Sequence, residues 1–532
     1  MFSNAQVLRR ELRLHAVQNR YEFYFLHNDS TSITIQCRYR CDCELNTYTC
    51  RMLACTCVGR VKCQFKVFAS KLVKQQTWQI KNLRLKHTCL RVRKNRILTA
   101  EYIAERYLEE FRSNPSWRIK EIRARILNDL GIEVTYFKAW VARCRENLII
   151  FGSAREQYAK VWDYGKVVMK YNPGSGCNIV VDGIDRPEPP LFLRMFMCLR
   201  PLRDGFARGC RPLIGVDGCH LKGAYPGQIL VAVAKDGNNN SFPLAWAIVE
   251  VENKETWGWF LESLIAMFTH DQGVRLTIMS DRQKGLIEAM ADVIPKEDQR
   301  FCVRHIWANF KLKFTGATFK ELFWSAAKAN TFFEYEIVME SIKFLDEASY
   351  EYLVSIPPKH WCRHAFPPTA KSNMLLNNMC ETFNAVIKPA RDKPILTQME
   401  WMRRYIMNRN NEKWEDAKNI NSNLVPYVRH VLHRVDFVAR GCVVQPSRDS
   451  TYEVQLKDDQ VLVDLEKDTC TCYHWELTGI PCVHAYACML DMRGDIEAYF
   501  DPYYTMETYR AAYEPVVHPM PGPKHWEKVK MR

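Results

Sequence analysis

The sequence predicts a multidomain α+β chain, with an α/β core flanked by two small modules that depend on metal for their fold. Three observations predict it. The acids Asp217, Asp281 and Glu381 stand at the ends of apolar runs or on a helical stretch. Cys/His clusters lie near both ends of the chain. Charge is also uneven: residues 1–150 hold 28 Lys and Arg against 13 Asp and Glu, and this surplus of 15 equals the formal net charge of the whole chain.

A length of 532 residues predicts about three or four domains. With 47% apolar and 12% aromatic residues there is material for several cores, which excludes global disorder. No apolar run approaches the roughly 20 residues a membrane helix needs. The opening MFSNAQVLRRELRLH lacks the apolar segment of an export signal. The expectation is a soluble intracellular protein whose 21 cysteines are metal ligands or reduced thiols.

Residues 1–95 are expected to form a basic zinc-binding β module. Between Glu44 and Glu101 there is no acid but 13 bases, a pattern that favours phosphate backbones through counterion release. Cys57, Cys63, His87 and Cys89 form C-x5-C-x23-H-x-C, two close pairs of the kind a tetrahedral structural Zn²⁺ takes. Cys37, Cys41, Cys43, Cys50, Cys55 and Cys144 offer alternative ligands, and the pattern assigns no role to Cys37, Cys41, Cys43 or Cys50. Residues 64–70 and 77–80 alternate as two strands. Lys66, Lys71 and Lys74 stud this segment as DNA contacts, followed by Lys81, Arg84 and Lys86. The run 90–96, with Arg91, Arg93 and Lys94, is a further DNA contact and a short nuclear-import patch, so the nucleus is the expected location.

Residues 96–175 are expected to be helical, with helices near 99–113, 117–130 and 135–149. Gly131 as a stop and Thr135 as an N-cap make the last two a helix-turn-helix pair. Lys138, Arg143 and Arg145 would face DNA from the second helix. Residues 176–205 are expected to be a linker.

The core is expected over 206–400. Leu213–Val216, Gln228–Ala234 and Phe242–Val249 are apolar strands, the first two joined through a Pro226-Gly227 turn. A helical stretch from Trp257 to Phe268 follows, then a strand over 275–279 that delivers Asp281. Three antiparallel strands, a helix and a strand carrying a second acid is the order of an RNase H-like α/β core. Too many residues separate Asp281 from Glu381 for one core connection, so a helical insertion is expected over about 311–373. Two Mg²⁺ or Mn²⁺ ions about 4 Å apart, held by three carboxylates, would support in-line phosphoryl displacement.

Residues 401–450 are expected to be a helical connector. Cys470-Thr-Cys472 and Cys482-Val-His484 then give C-x-C-x9-C-x-H within 451–495, a second zinc set closed by the Gly479-Ile-Pro481 turn. Strands at 452–456 and 461–465 would pack on it. A tail, 496–532, ends the chain.

The runs DGCHLKGAYPGQILVAVAKDGNNNSFPLAWAIVEVENKETWGWFL, SDRQKGL, FCVRHIWANFK and CETFNAVI resemble the transposase domain of plant Mutator-like elements (MULE, MuDR). The N-terminal cluster resembles the WRKY-like zinc module of that family's DNA-binding region, and TCTCYHWELTGIPCVHAYACM resembles a SWIM zinc finger. The resemblance implies an RNase H-like fold with a helical insertion and Asp217, Asp281 and Glu381 as catalytic acids. It matches a family Cys-x-x-His pair to Cys302 and His305, whose role is metal binding, DNA contact or packing. It implies two structural Zn²⁺, catalytic Mg²⁺ or Mn²⁺, and double-stranded DNA at terminal inverted repeats as partner. A homo-oligomer is compatible, while a membrane or small-molecule substrate is not expected. The competing reading is a catalytically silent, domesticated DNA-binding regulator. Many relatives carry an N-terminal extension, a basic Gly-Arg-Pro tail and a terminal zinc knuckle that this sequence does not show; truncation at either end would leave an inactive copy with intact motifs.

Overall fold

The computed structural model describes residues 1–38, 63–72, 77–114, 117–183, 190–223, 226–268 and 275–528. Two compact units divide the chain, Met1–Ser153 and Ala154–Arg532.

In the first unit, helix α1 (Ala5–Asn19) starts at Asn4, whose side chain accepts from the Val7 N–H, and ends at Arg20 in the left-handed conformation. The antiparallel sheet β1 (Phe23–Asn28), β2 (Ser32–Cys37), β3 (Lys66–Lys71) and β4 (Trp78–Arg84) follows in that order. Asp29 makes the β1–β2 turn, its Oδ1 accepting from the N–H groups of Thr31 (2.8 Å) and Ser32 (2.6 Å). Leu8 and Leu12 of α1 pack with Ile33, Ile35, Phe65 and Val67, giving a small core for the sheet. The expected strands are β3 and β4; α1, β1 and β2 were not foreseen.

Helices α2 (Ala100–Arg106), α3 (Leu108–Ser113), α4 (Ile119–Leu130) and α5 (Tyr136–Phe151) complete the unit. Gly131 closes α4 at φ 65°, and Thr135 Oγ1 caps α5 by accepting from the Lys138 N–H at 3.1 Å. Ile103, Tyr107, Ile122, Ile126, Ala139 and Ala142 meet in its core.

The second unit opens with α6 (Ala154–Tyr158) and α7 (Val161–Tyr171), so the helical region expected to run to 175 breaks at the unit boundary. Residues expected as a linker over 176–205 are core instead. Strands β5 (Gly176–Asp182) and β6 (Leu191–Cys198) and helix α8 (Arg200–Gly209) bury Met195, Phe196, Met197, Leu202 and Phe206. An apolar run of this length cannot stay in water cheaply; each large side chain gains about 1.5–3 kcal/mol from full burial.

The main sheet continues with β7 (Cys210–His220), β8 (Gln228–Asp236), β9 (Ser241–Val249), α9 (Lys254–Ala266), β10 (Thr277–Ser280), α10 (Lys284–Val293) and β11 (Asp298–Phe301). Its spatial order is β11-β10-β7-β8-β9-β6-β5. β10 pairs in parallel with β7 and β11, and the other pairings are antiparallel. β7 to β9 are buried almost throughout, as near-continuous apolar strands covered on both faces must be. On α9, Trp257, Phe260, Leu261 and Leu264 are all fully buried, following the helical spacing of the sequence.

After α11 (Val303–Phe310), the insertion consists of α12 (Ala317–Lys328), α13 (Phe332–Leu345), α14 (Glu347–Val354) and short 3₁₀ turns reaching Ala370. Its apolar residues join the core of the main sheet; within it Trp361 stacks on Phe323 at 5.4 Å and donates to the Ile356 carbonyl. α15 (Asn378–Val386), α16 (Ile395–Lys418) and α17 (Pro426–Ala439) lead to the terminal sheet β12 (Val443–Pro446), β13 (Thr451–Leu456), β14 (Asp459–Asp464) and β15 (Thr469–Cys470), with α18 (His474–Thr478) and α19 (Val483–Met492). The expected tail holds α20 (Met506–Tyr513), which is core as well. Gly205 and Gly209 let α8 approach the α20 backbone so closely that a Cβ at either would overlap it. Tyr513 OH donates to the buried Asp236 at 2.7 Å.

Candidate functional site

Met279 of β10 stands opposite Gly215 of β7 in a parallel register. Asp217 lies two residues further along β7 and Asp281 just past the end of β10, near enough for the charge of Asp281 to act on Asp217. The half-buried Asp217 accepts from the Gly218 N–H on Oδ1 (2.9 Å) and from Asn384 Nδ2 on Oδ2 (2.8 Å). Burial, and then the charge of Asp281, raises the Asp217 carboxyl to about 7.

Helix α15 brings Asn384 to this point, and Gly215 allows it: a Cβ there would lie 2.8 Å from Met379 Cε and 2.9 Å from Cys380 Sγ. Asn377 Nδ2 anchors the start of α15 to the Val216 carbonyl at 2.9 Å. Glu381 is one turn before Asn384, with its carboxylate held by Arg304 Nη1 at 2.6 Å; Arg304 also donates to Asn378 at 3.1 Å. The buried Asn384 Oδ1 has no hydrogen-bond partner.

Sequence reasoning missed Glu252, between β9 and α9. A Cβ on Gly218 would come within 2.9 Å of the Glu252 carboxylate, so this acid lies directly beside the residue after Asp217. Trp257 Nε1 donates to Glu252 Oε1 at 3.2 Å. Burial raises the Glu252 carboxyl and the charge of Asp281 adds to the rise, against the Trp257 hydrogen bond. An acid just before the helix N-cap Asn253 looks ordinary in sequence; only the fold puts it next to β7.

Cys302 caps α11 and is buried, its Sγ accepting from the Asn377 N–H at 3.4 Å. Burial works against the thiolate, yet the hydrogen bond with His305 outweighs it and the thiol is lowered. The same bond raises His305, with Asp281 and Asp217 contributing. The pair therefore joins α11 to the start of α15 and turns His305 toward the two acids.

Among the described residues, two groups bring all their ligand atoms within 4.8 Å of one another, and both are Cys/His. The acids are more spread. Mg²⁺–oxygen bonds of about 2.1 Å around two ions roughly 4 Å apart span more than 4.8 Å, so looser spacing suits such a pair. Carboxylate oxygens such as those of Asp217 and Asp281 are the hard donors that divalent cations take.

The N-terminal group is Cys37, Cys63, His87 and Cys89. Three expected ligands converge with Cys37, and the expected Cys57 lies outside the described residues. The reason is β2: it ends at Cys37, and the Cys37 N–H bonds the Phe65 carbonyl two residues from Cys63. The Sγ atoms of Cys37 and Cys89 are 3.5 Å apart, and His87 Nδ1 is 3.5 Å from both Cys63 and Cys89. Bonds of about 2.0–2.3 Å in a tetrahedron give such edges. His87 is clamped between the rings of Tyr21 (3.8 Å) and Phe65 (4.2 Å).

At the other end, Cys470, Cys472, Cys482 and His484 converge, with His484 Nδ1 3.7 Å from Cys470 Sγ and 3.9 Å from Cys482 Sγ. Cys482 also caps α19, accepting from the Ala485 N–H at 3.4 Å. Cys482→Ser is expected to lower bound zinc by one equivalent and melt β15–α19, which metal analysis and hydrogen exchange would read.

The DNA-contact candidates divide. Arg91 and Lys94 are exposed, Lys66 and Lys71 are half-buried on β3, and Lys74 lies outside the described residues. Arg93 pairs with Glu133 at 2.8 Å. On α5 the expectation is corrected. Lys138 turns back toward the Asn95 carbonyl (3.5 Å), Arg143 donates to the Trp117 carbonyl and Arg145 pairs with Glu101. The Thr135 cap fixes the rotation of α5, so Tyr136 (63% exposed) and Phe137 (69%) face outward instead. Exposed bases cluster at Lys81 and Arg84 of β4 and at Lys86, Arg91, Lys94 and Arg96 just after it.

The family model for the MULE transposase domain matches residues 213–309, and the one for the SWIM zinc finger matches residues 452–491. The first segment carries Asp217, Glu252, Asp281, Cys302 and His305; the second carries the C-terminal cluster. No curated protein matches the chain. Together the two matches support a Mutator-like transposase, and the SWIM match and both Cys/His groups support zinc.

Proposed function

We propose that the chain is a DNA transposase of the Mutator-like class that binds terminal inverted repeats and performs metal-dependent cleavage and strand transfer with Asp217, Asp281 and Glu381. The observation that carries this reading is the parallel pairing of β7 and β10, with Asp217 on β7 and Asp281 just past the end of β10 near enough to feel each other's charge, inside the matched transposase segment. Strand order supports an RNase H-like core: β7, β8 and β9 antiparallel, then α9, with β10 parallel beside β7 and β11 parallel beside β10.

Bound Mg²⁺ or Mn²⁺ would activate a water or 3′-hydroxyl and stabilise the leaving oxygen of an in-line displacement. Asp217 and Asp281 would hold the cations, with Glu381 joining them once it leaves Arg304. Asn384 fixes the Asp217 carboxylate through Oδ2, and His305 stands near both acids to hold a proton. DNA containing terminal repeats, incubated with the protein and Mn²⁺, should yield nicked and joined strands that EDTA abolishes. DNA bound but uncut under all conditions would favour the silent DNA-binding regulator.

The exposed bases around β4 are the proposed contacts to the DNA backbone. Replacing Lys81 and Lys86 with alanine is expected to weaken repeat and random duplexes alike. The slope of log affinity against log salt should fall by about one per removed charge, measured by fluorescence anisotropy.

A further inference from the structure

We infer that the outer face of α17 is a second contact to duplex DNA, carried by the Ala154–Arg532 unit and separate from the bases around β4. This rests on the DNA-binding transposase reading and extends it to a helix that neither matched segment covers. α17 has Pro426 in its first turn, where a missing N–H costs nothing. Its inner side is anchored: Val428 and Ala439 are buried, and Val431, Leu432 and Val435 pack half-buried at the same helical spacing. That anchoring fixes the rotation, so Arg429, His430, His433, Arg434 and Phe437 share the opposite side. All five are exposed, Phe437 at 81%.

Nothing of opposite charge on the helix answers these bases. The single acid of α17, Asp436, is taken by Arg440, which reaches it through Nε at 3.0 Å and Nη2 at 3.2 Å. Among the described residues, Arg429, His430, His433 and Arg434 form no ion pair and no side-chain hydrogen bond. Residues four apart on a helix stand side by side, so Arg429 neighbours His433 and His430 neighbours Arg434 with no carboxylate between them. A helix face that meets only water commonly alternates in sign, and this one does not. A row of N–H donors without acids matches phosphate oxygens, and the Phe437 ring offers a flat surface to a sugar or base. The 14 residues of α17 span about 21 Å, and the major groove of DNA admits an α-helix. A second copy of this chain fits less well, because a two-fold axis would set the same bases against each other.

The test uses the full chain and a labelled duplex of random sequence. The double variant Arg429→Ala/Arg434→Ala should bind it several-fold more weakly and lower the slope of log affinity against log salt by about two. Benzoylphenylalanine placed at position 437 should crosslink to the duplex on irradiation. Unchanged affinity and slope in the double variant overturn the inference, as does a position-437 probe that crosslinks to a second chain or to nothing. Should the double variant melt at a lower temperature than wild type, the crosslink at 437 alone decides. If Lys81→Ala/Lys86→Ala loses affinity while Arg429→Ala/Arg434→Ala does not, the DNA-binding reading stands and the α17 contact alone fails. A wild-type chain that binds no duplex overturns both.

Discussion

Asp217→Asn will abolish Mg²⁺- or Mn²⁺-dependent strand transfer while leaving binding to repeat DNA intact. Asp217 is the acid that feels the charge of Asp281 and is tied to α15 through Asn384. Losing its charge removes cation affinity and transition-state stabilisation together. That is worth several kcal/mol of barrier, a rate loss on the order of a thousandfold. The same substitution has a second readout without metal. The folded carboxyl is raised to about 7, from an ordinary value near 3.8. The unfolded chain therefore ionises first, and the folded state loses stability as pH rises from about 4 to about 7, then stays at that lower level. In EDTA at pH 8 the asparagine protein should be the more stable of the two, and the difference should shrink toward pH 4. Equal strand transfer by wild type and mutant would remove Asp217 from the chemistry.

Cys37→Ser will remove one equivalent of zinc and unfold the β1–β4 sheet, while Cys57→Ser leaves zinc content unchanged. The sheet's own core is small, built around Ile33, Ile35, Phe65 and Val67. A structural zinc contributes about 10–16 kcal/mol in isolated finger peptides, so the module is not expected to hold without it. DNA affinity should fall with it, because Lys81, Arg84 and Lys86 are carried by β4 and the segment that follows. Circular dichroism and zinc analysis of both variants decide the matter. Zinc retained in Cys37→Ser and lost in Cys57→Ser would restore the C-x5-C pairing.

The C-terminal ligands were legible because C-x-C and C-x-H place both pairs by local geometry, and Gly479 closes the turn between them. The N-terminal set was legible only in three members. Cys37 stands 26 residues before Cys63 in sequence, and nothing short of the β2–β3 pairing brings the two together. A similar limit hid Glu252 and Asn384. Glu252 precedes a helix N-cap and Asn384 sits within a helix, and both look unremarkable until the fold packs them against β7. The expected DNA readers on α5 failed for a rotational reason. Sequence marks a basic helix and its cap, but the cap and the Ala139–Ala142 face together turn Lys138 and Arg143 inward.

Linker and tail were misjudged in one way. The apolar run of 191–202 was passed over as linker, yet β6, α8 and α20 are buried because the main sheet and the α8 glycines give them partners. Sequence alone determined the α/β order of the core, the acids at its strand ends, the helical insertion and the C-terminal zinc ligands, since each depends on residues near one another or on apolar periodicity. Tertiary structure decided which cysteine completes the first zinc set, which bases remain exposed, and that Glu252 stands beside Gly218. Those facts depend on distances between segments far apart along the chain, which strand pairing and close glycine contacts set and local composition does not encode.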